Sequence, residues 1–237
     1  QIYTWSDANK TTPKTSAPAL ADAMELFRPY AEAGREIVCF SISAGMSTSG
    51  NVMRLAAEEL GASDRIKVID SANLSTGIGL LVVEAAIMAK NNRTASQIVS
   101  EIERLKPNVR ASFVVDTLTY LYRGGRCNAV AAMAGGILKL HPRIVVEDSA
   151  MNASKKYRGK IASVVMNYVK DMEKDLKKAR PERVFITHSG CEQETVEKVR
   201  AYLKELDIFD EILETRAGGV VSSHCGPGTL GVLYIAK

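Results

Sequence analysis

"EIVCFSISAGMSTSGN", residues 36–51, decides how this chain is read. Its first half, 36–43, is apolar and β-branched, the composition of a buried strand. Small and hydroxylated residues follow. From Thr48 the pattern is helical as far as Leu60, with Gly61 as its stop. Strand, loop and helix in that order begin a parallel α/β layer, in which ligands bind at the carboxyl ends of the strands. Upstream, Ala19 to Ala33 has helical spacing through Leu20, Met24 and Phe27, with Pro29 as a blemish and Gly34 as a stop. Downstream, "RIKVIDS" (65–71) is the next strand and Thr76 to Lys90 a strongly apolar helix. Thr94 with Gln97 forms a capping box for a helix that ends before Pro107, and "VRASFVVD" (109–116) is a third buried strand.

Beyond residue 116 the pattern changes. Residues 117–140 read as short helical pieces broken by Gly124-Gly125 and Gly135-Gly136. "RIVVEDSAMNASKKYRG" (143–159) reads as a hairpin, and Gly159 to Lys178 as one long amphipathic helix. A strand (183–189), a helix (Glu192 to Leu206), the strand "DEILETR" and a terminal strand after Gly228 complete the chain. The fold class is therefore α/β in two lobes. Residues 1–140 form an N-terminal, Rossmann-like parallel layer, and 141–237 a C-terminal α+β sandwich.

A chain of 237 residues buries enough surface to need no disulfide or metal staple. Its 31 basic and 27 acidic residues leave a net charge of +4, too small and too dispersed to indicate nucleic acid. Cys39, Cys127, Cys191 and Cys225 form no CxxC pair and no zinc-ligand spacing with the histidines. No signal peptide is visible, and the longest apolar stretch, Ile78 to Met88, is too short to span a bilayer. A cytoplasmic protein with reduced thiols, without metal or cofactor, is expected.

Three loops carry chemistry. Ser47, Thr48 and Ser49 place hydroxyls beside a helix N-terminus, where free N–H groups and the helix dipole favour an anion; helix capping by Ser47 uses the same geometry. Thr15 and Ser16 offer a second hydroxyl pair before a helix. In "SSHCGPG" (222–228), Gly226-Pro227-Gly228 forces a tight turn that holds the backbone near His224, whose ring is either an aimed ligand donor or a packed structural group. His188 ends a strand, and His141 before Pro142 looks like a strand lead-in. There is no G-x-S-x-G elbow and no GxxxxGK[ST] loop. Neutral hydroxyls with one imidazole suit holding a carboxylate better than breaking a bond.

The chain resembles the DegV family of bacterial fatty-acid-binding proteins. The matching words are "TSAP" (15–18), "ISAGMSTS" (42–49), "VIDSANLSTGIGLL" (68–81), "DTLTYLYRGGR" (116–126), "LKLHPRIVVEDS" (138–149), "KYRGK" (156–160) and "HCGPGTLGVLY" (224–234). They occur in the family's order over nearly the whole chain. The resemblance implies two lobes with a lipid tunnel at their junction, and a carrier rather than an enzyme. Such a carrier holds a long-chain fatty acid while a partner fatty acid kinase phosphorylates its carboxylate, with transient membrane contact compatible with that cargo. By the same likeness Thr15, Ser47 and His224 hold the carboxylate, with Ser16, Thr48 and Ser49 beside them. Arg126 and Arg158 face the partner or support the site. Helix 76–90 and segment 129–140 are candidates for the tunnel wall.

Two departures stand out. The family's S-G-T word reads Ser47-Thr48-Ser49, and its TSQP word reads Thr15-Ser16-Ala17-Pro18. The resemblance also implies a preceding segment of about 45–50 residues, with a first strand and a small hairpin. The rival readings are a hydrolase or transferase using Ser47 or Cys225 with His224, and a lipid-sensing regulatory module.

Overall fold

The computed structural model describes residues 1–126 and 140–237. They gather into two compact units. The larger comprises Gln1–Thr15, Val109–Glu147 and Met151–Lys237; the smaller comprises Ser16–Asn108 with Asp148–Ala150. The chain opens with α1 (Ile2–Asn9) in the larger unit. The smaller unit then contains α2 (Leu20–Glu32), β1 (Ile37–Ser41), α3 (Ser49–Glu59), β2 (Ile66–Asp70), α4 (Thr76–Lys90) and α5 (Ala95–Leu105). The chain returns to the larger unit for β3 (Val109–Val114), α6 (Thr119–Arg123), β4 (Leu140–Glu147), β5 (Ala150–Arg158), α7 (Ile161–Asp171) and α8 (Glu173–Leu176). It finishes with β6 (Ala179–Ser189), α9 (Gln193–Glu205), β7 (Glu211–Arg216), α10 (Gly219–Cys225) and β8 (Thr229–Ala236).

In the smaller unit β1 and β2 pair in parallel, from Ile37 opposite Ile66 to Ser41 opposite Asp70. Ala23, Phe27 and Ala31 of α2 share a core with Ala56 and Ala57 of α3 and Ile66 of β2. Alanine at 56 and 57 lets the two helices approach closely. Pro29 lies inside α2 without breaking it, because only one turn remains to be bonded. The Thr94–Gln97 capping box forms in full: the Thr94 hydroxyl accepts from the Gln97 N–H, and the Gln97 side chain accepts from the Thr94 N–H. In α4, Leu80 and Leu81 are buried whereas Val82 and Ile87 are exposed, so one apolar side of this helix lacks cover among the described residues.

The larger unit is built on a mixed sheet whose described strands lie in the order β5-β4-β3-β8-β6-β7. β8 runs antiparallel to both β3 and β6, and β7 pairs with β6 in parallel. β4 and β5 form the expected hairpin. Asp148 and Ser149 at its tip both have positive φ, 51° and 62°, as a tight primed turn requires. Tyr168 of α7 is fully buried in this core. Its hydroxyl donates to the Ser112 carbonyl at 2.7 Å and accepts from the Val232 N–H at 3.0 Å, tying α7 to β3 and β8.

Three expectations change. Strand 109–114 does not join the N-terminal layer; it lies in the larger sheet, with Val109 opposite Ile235 and Val114 opposite Leu230. A strand buried on both faces looks the same in either sheet, so its sequence could not place it. The compact units accordingly differ from a division at residue 140, because residues 1–15 and β3 belong with the C-terminal elements. The long helix over 159–178 is two, α7 and α8, separated at Met172. His224 lies in the last turn of the short helix α10, directly before the Gly226-Pro227-Gly228 turn. Among the described residues, no helix is long and apolar enough to cross a membrane. Gly135-Gly136, Cys127 and all of segment 129–140 but its last residue lie outside the described residues.

Candidate functional site

The ring of His224 is the centre of the best-defined polar arrangement. Its carrier, α10, stops because Gly226 adopts φ 79° and Pro227 cannot continue a helix. Gly228, at φ 73°, turns the chain into β8, and the Thr229 hydroxyl fastens this corner by donating to the Cys225 carbonyl at 2.9 Å. The imidazole therefore projects from a helix end stitched to the middle of the sheet.

His224 Nε2 lies 2.9 Å from Thr15 Oγ1. Its other nitrogen, Nδ1, is buried without a hydrogen-bond partner among the described residues. Glycine at 124 makes room for it: a Cβ there would stand 2.1 Å from Nδ1. Gly226 is required for a similar reason, since a Cβ on it would stand 2.4 Å from the Tyr120 ring. Burial, with the nearby Arg126 charge second, holds the imidazolium of His224 below its ordinary range. Arg126 itself donates to the Gly124 carbonyl at 2.8 Å, which keeps its guanidinium near this corner. The result is a neutral ring, a hydroxyl and a neighbouring cation, an environment that favours an anion.

Ser16 is exposed just beyond Thr15 and belongs to the smaller unit. Ser47 Oγ lies 2.8 Å from Ser49 Oγ and accepts from the Ser49 N–H at 3.2 Å, so the two hydroxyls pair at the start of α3 through one of their two protons. Thr48 is the N-cap residue of α3 but makes no side-chain cap bond. The loop before them is braced from beneath, since both oxygens of Asp70 accept from the Ala44 N–H and the Ser43 hydroxyl donates to the Ser149 carbonyl at 2.7 Å. Arg158 ends β5 with its side chain exposed, and no hydrogen bond or ion pair among the described residues links it to His224.

The serine pair beside His224 is used internally. Ser222 donates to the Ala217 carbonyl and Ser223 to that of Val220. Cys225 is buried, and burial pushes its thiol up to about 12, so it carries no thiolate to act as a nucleophile. His188 and His141 are buried in strands, facing Glu214 at 3.5 Å and Asp116 at 3.3 Å respectively. A cavity of about 290 Å³ in the smaller unit, lined by Arg54, Glu58, Lys67 and Glu103 among others, contains none of the predicted site residues.

Sequence reasoning missed Asp7, Tyr3 and Tyr120. The Tyr120 hydroxyl donates to Asp7 Oδ2 at 2.9 Å, Arg123 Nη1 donates to Asp7 Oδ1 at 3.1 Å, and Tyr3 meets the Tyr120 ring edge-on at 5.7 Å.

The DegV family model matches residues 1–237, the whole chain. The chain belongs to the DegV family. A DegV domain-containing protein of Deinococcus radiodurans is 31% identical over 226 residues, covering 95% of this chain and 79% of the relative. Among solved structures, a DegV family protein from Thermus thermophilus described as binding fatty acid superposes with a TM-score of 0.88 at 25% identity, covering 98% of this chain and 83% of that one. A stearic-acid-binding protein from Eubacterium ventriosum superposes at 0.83 with 26% identity, over 99% and 82%. The α/β architecture described above is thus the DegV fold.

Proposed function

We propose that this DegV protein binds a long-chain fatty acid and holds its carboxylate with uncharged hydroxyl donors, Thr15 set in place by His224, and Ser47. The observation that carries the reading is the 2.9 Å contact between Thr15 Oγ1 and His224 Nε2. With Nδ1 buried and unpartnered, the tautomer that leaves no buried N–H orphaned carries its proton on Nε2. Nε2 then donates to Thr15 Oγ1, and the threonine hydroxyl proton is free for a carboxylate oxygen. The fatty acids bound by the Thermus and Eubacterium relatives support the same class of ligand.

Affinity comes mainly from the tail. About 15 buried methylenes at ~0.8 kcal/mol each are worth roughly 12 kcal/mol gross, from which ordering the acyl chain removes several. The head group then sets orientation. A bidentate arginine would hold the carboxylate and blunt its nucleophilicity, whereas hydroxyl donors, one of them set by an imidazole, satisfy it and leave an oxygen free. This suits presentation to a partner kinase, where a carboxylate oxygen attacks the terminal phosphorus of a nucleoside triphosphate and the diphosphate leaves. Arg126 and Arg158 remain the candidates for the partner-facing surface.

Denaturing mass spectrometry of the purified protein tests the first part. A co-purified long-chain fatty acid is expected; its absence, together with failure of delipidated protein to take up palmitate, rejects the reading. For the second part, Ser47→Ala and His224→Ala are expected to impair phosphoryl acceptance more than palmitate retention. Equal loss of both counts against presentation.

A further inference from the structure

We propose that Asp7 is a positioning residue for the Thr15–His224 pair, acting through Tyr120 and Arg123 of α6. The inference rests on reading that pair as the carboxylate anchor. An exposed ion pair between a carboxylate and an arginine contributes little by itself. Asp7 differs because its partners are not exposed: Tyr120 is 3% exposed and the Arg123 side chain 16%, against 59% for the Asp7 side chain. One carboxylate on a surface helix thus reaches two groups anchored in the interior. Arg123 Nη1 also donates to the Ser6 carbonyl at 3.2 Å, so the same guanidinium holds the backbone at the end of α1.

Both halves of the anchor are referenced to α6. Tyr120 packs on Gly226, and Gly124, four residues on and on the same helical face, receives Nδ1 of His224. These contacts seat the imidazole from the C-terminal side. Tyr120 and Arg123 grip α1 through Asp7 and so locate the segment that delivers Thr15. That segment is short and constrained: Lys10 turns left-handed at φ 54°, the Thr11 N–H bonds back to the Ser6 carbonyl at 3.2 Å, and Thr12 is 1% exposed. With Asp7 removed, α1 loses both carboxylate bonds to α6 and keeps only the Arg123 bond to the Ser6 carbonyl and the Tyr3–Tyr120 ring contact, so the Thr15 hydroxyl loses its register while His224 keeps its seat.

The test compares Asp7→Ala and the milder Asp7→Asn with Thr15→Ala and His224→Ala. Palmitate affinity is measured by calorimetry on delipidated protein, and the His224 ring by nitrogen NMR. Asp7→Ala is expected to weaken palmitate at least tenfold and to move the His224 Nε2 signal towards its position in Thr15→Ala. The double variant Asp7→Ala/Thr15→Ala should lose no more than Thr15→Ala alone, and Asp7→Asn, which keeps an acceptor for Tyr120, should fall between. An unchanged His224 signal in folded Asp7→Ala and Asp7→Asn overturns the positioning role, whatever palmitate does. If Thr15→Ala and His224→Ala both bind palmitate normally, the anchor reading fails, and the NMR signal still decides whether Asp7 sets the pair.

Discussion

His224 shows how burial converts a common side chain into a particular tool. Its ordinary value is 6.5, and burial, then the Arg126 charge, lowers it in the folded protein. Between the lowered and the ordinary value the unfolded chain binds a proton that the folded chain does not. The contribution of this group to stability is therefore complete above 6.5 and is lost as pH falls through the folded value. Denaturant unfolding followed from about pH 7 to about pH 5 should show a decline that is shallower in His224→Gln; identical slopes would remove His224 from the acid response. The importance of this residue was legible because a histidine beside Gly-Pro-Gly is an unusual word. Asp7 was not legible. An aspartate in a short helix has no local mark of function, and its role depends on Tyr120 and Arg123, more than a hundred positions away.

At the scale of elements, close approach decides the geometry of the α6–α10 corner. Gly226→Ala has two costs there, strain at φ 79° and a Cβ placed 2.4 Å from the Tyr120 ring. A loss of roughly 1–3 kcal/mol is expected in thermal unfolding, and a neutral result would show that the corner yields freely. The helices with strong ends were readable in advance. Thr76 and Lys90 bound α4 as its apolar run indicates, and Gly61, at φ 59°, stops the chain after α3. α10 was not readable, because seven residues with two serines and a histidine carry no helical period. The break at Met172 was hidden for the opposite reason, since the apolar pattern of α7 runs on through Leu176, which is itself fully buried.

At the scale of the whole molecule, ligand binding and folding are linked. A fatty acid at a hundred times its dissociation constant should stabilise delipidated protein by about 2.7 kcal/mol. For a chain of this size that is roughly a 5–10 °C rise in melting temperature. Palmitate that leaves the melting curve unmoved would argue against specific uptake. The expected lobes were of the right kinds, but the assignment of β3 depended on its partner β8, which lies more than a hundred residues later. That partner has one more consequence. β8 sits between β3 and β6, yet it is made after both of them. On the ribosome, Ser16–Asn108 has emerged and can collapse while the larger sheet still lacks its middle. Two groups of strands with open edges must then wait for residues 229–236, and a nascent chain stalled before them would be a natural client for chaperones.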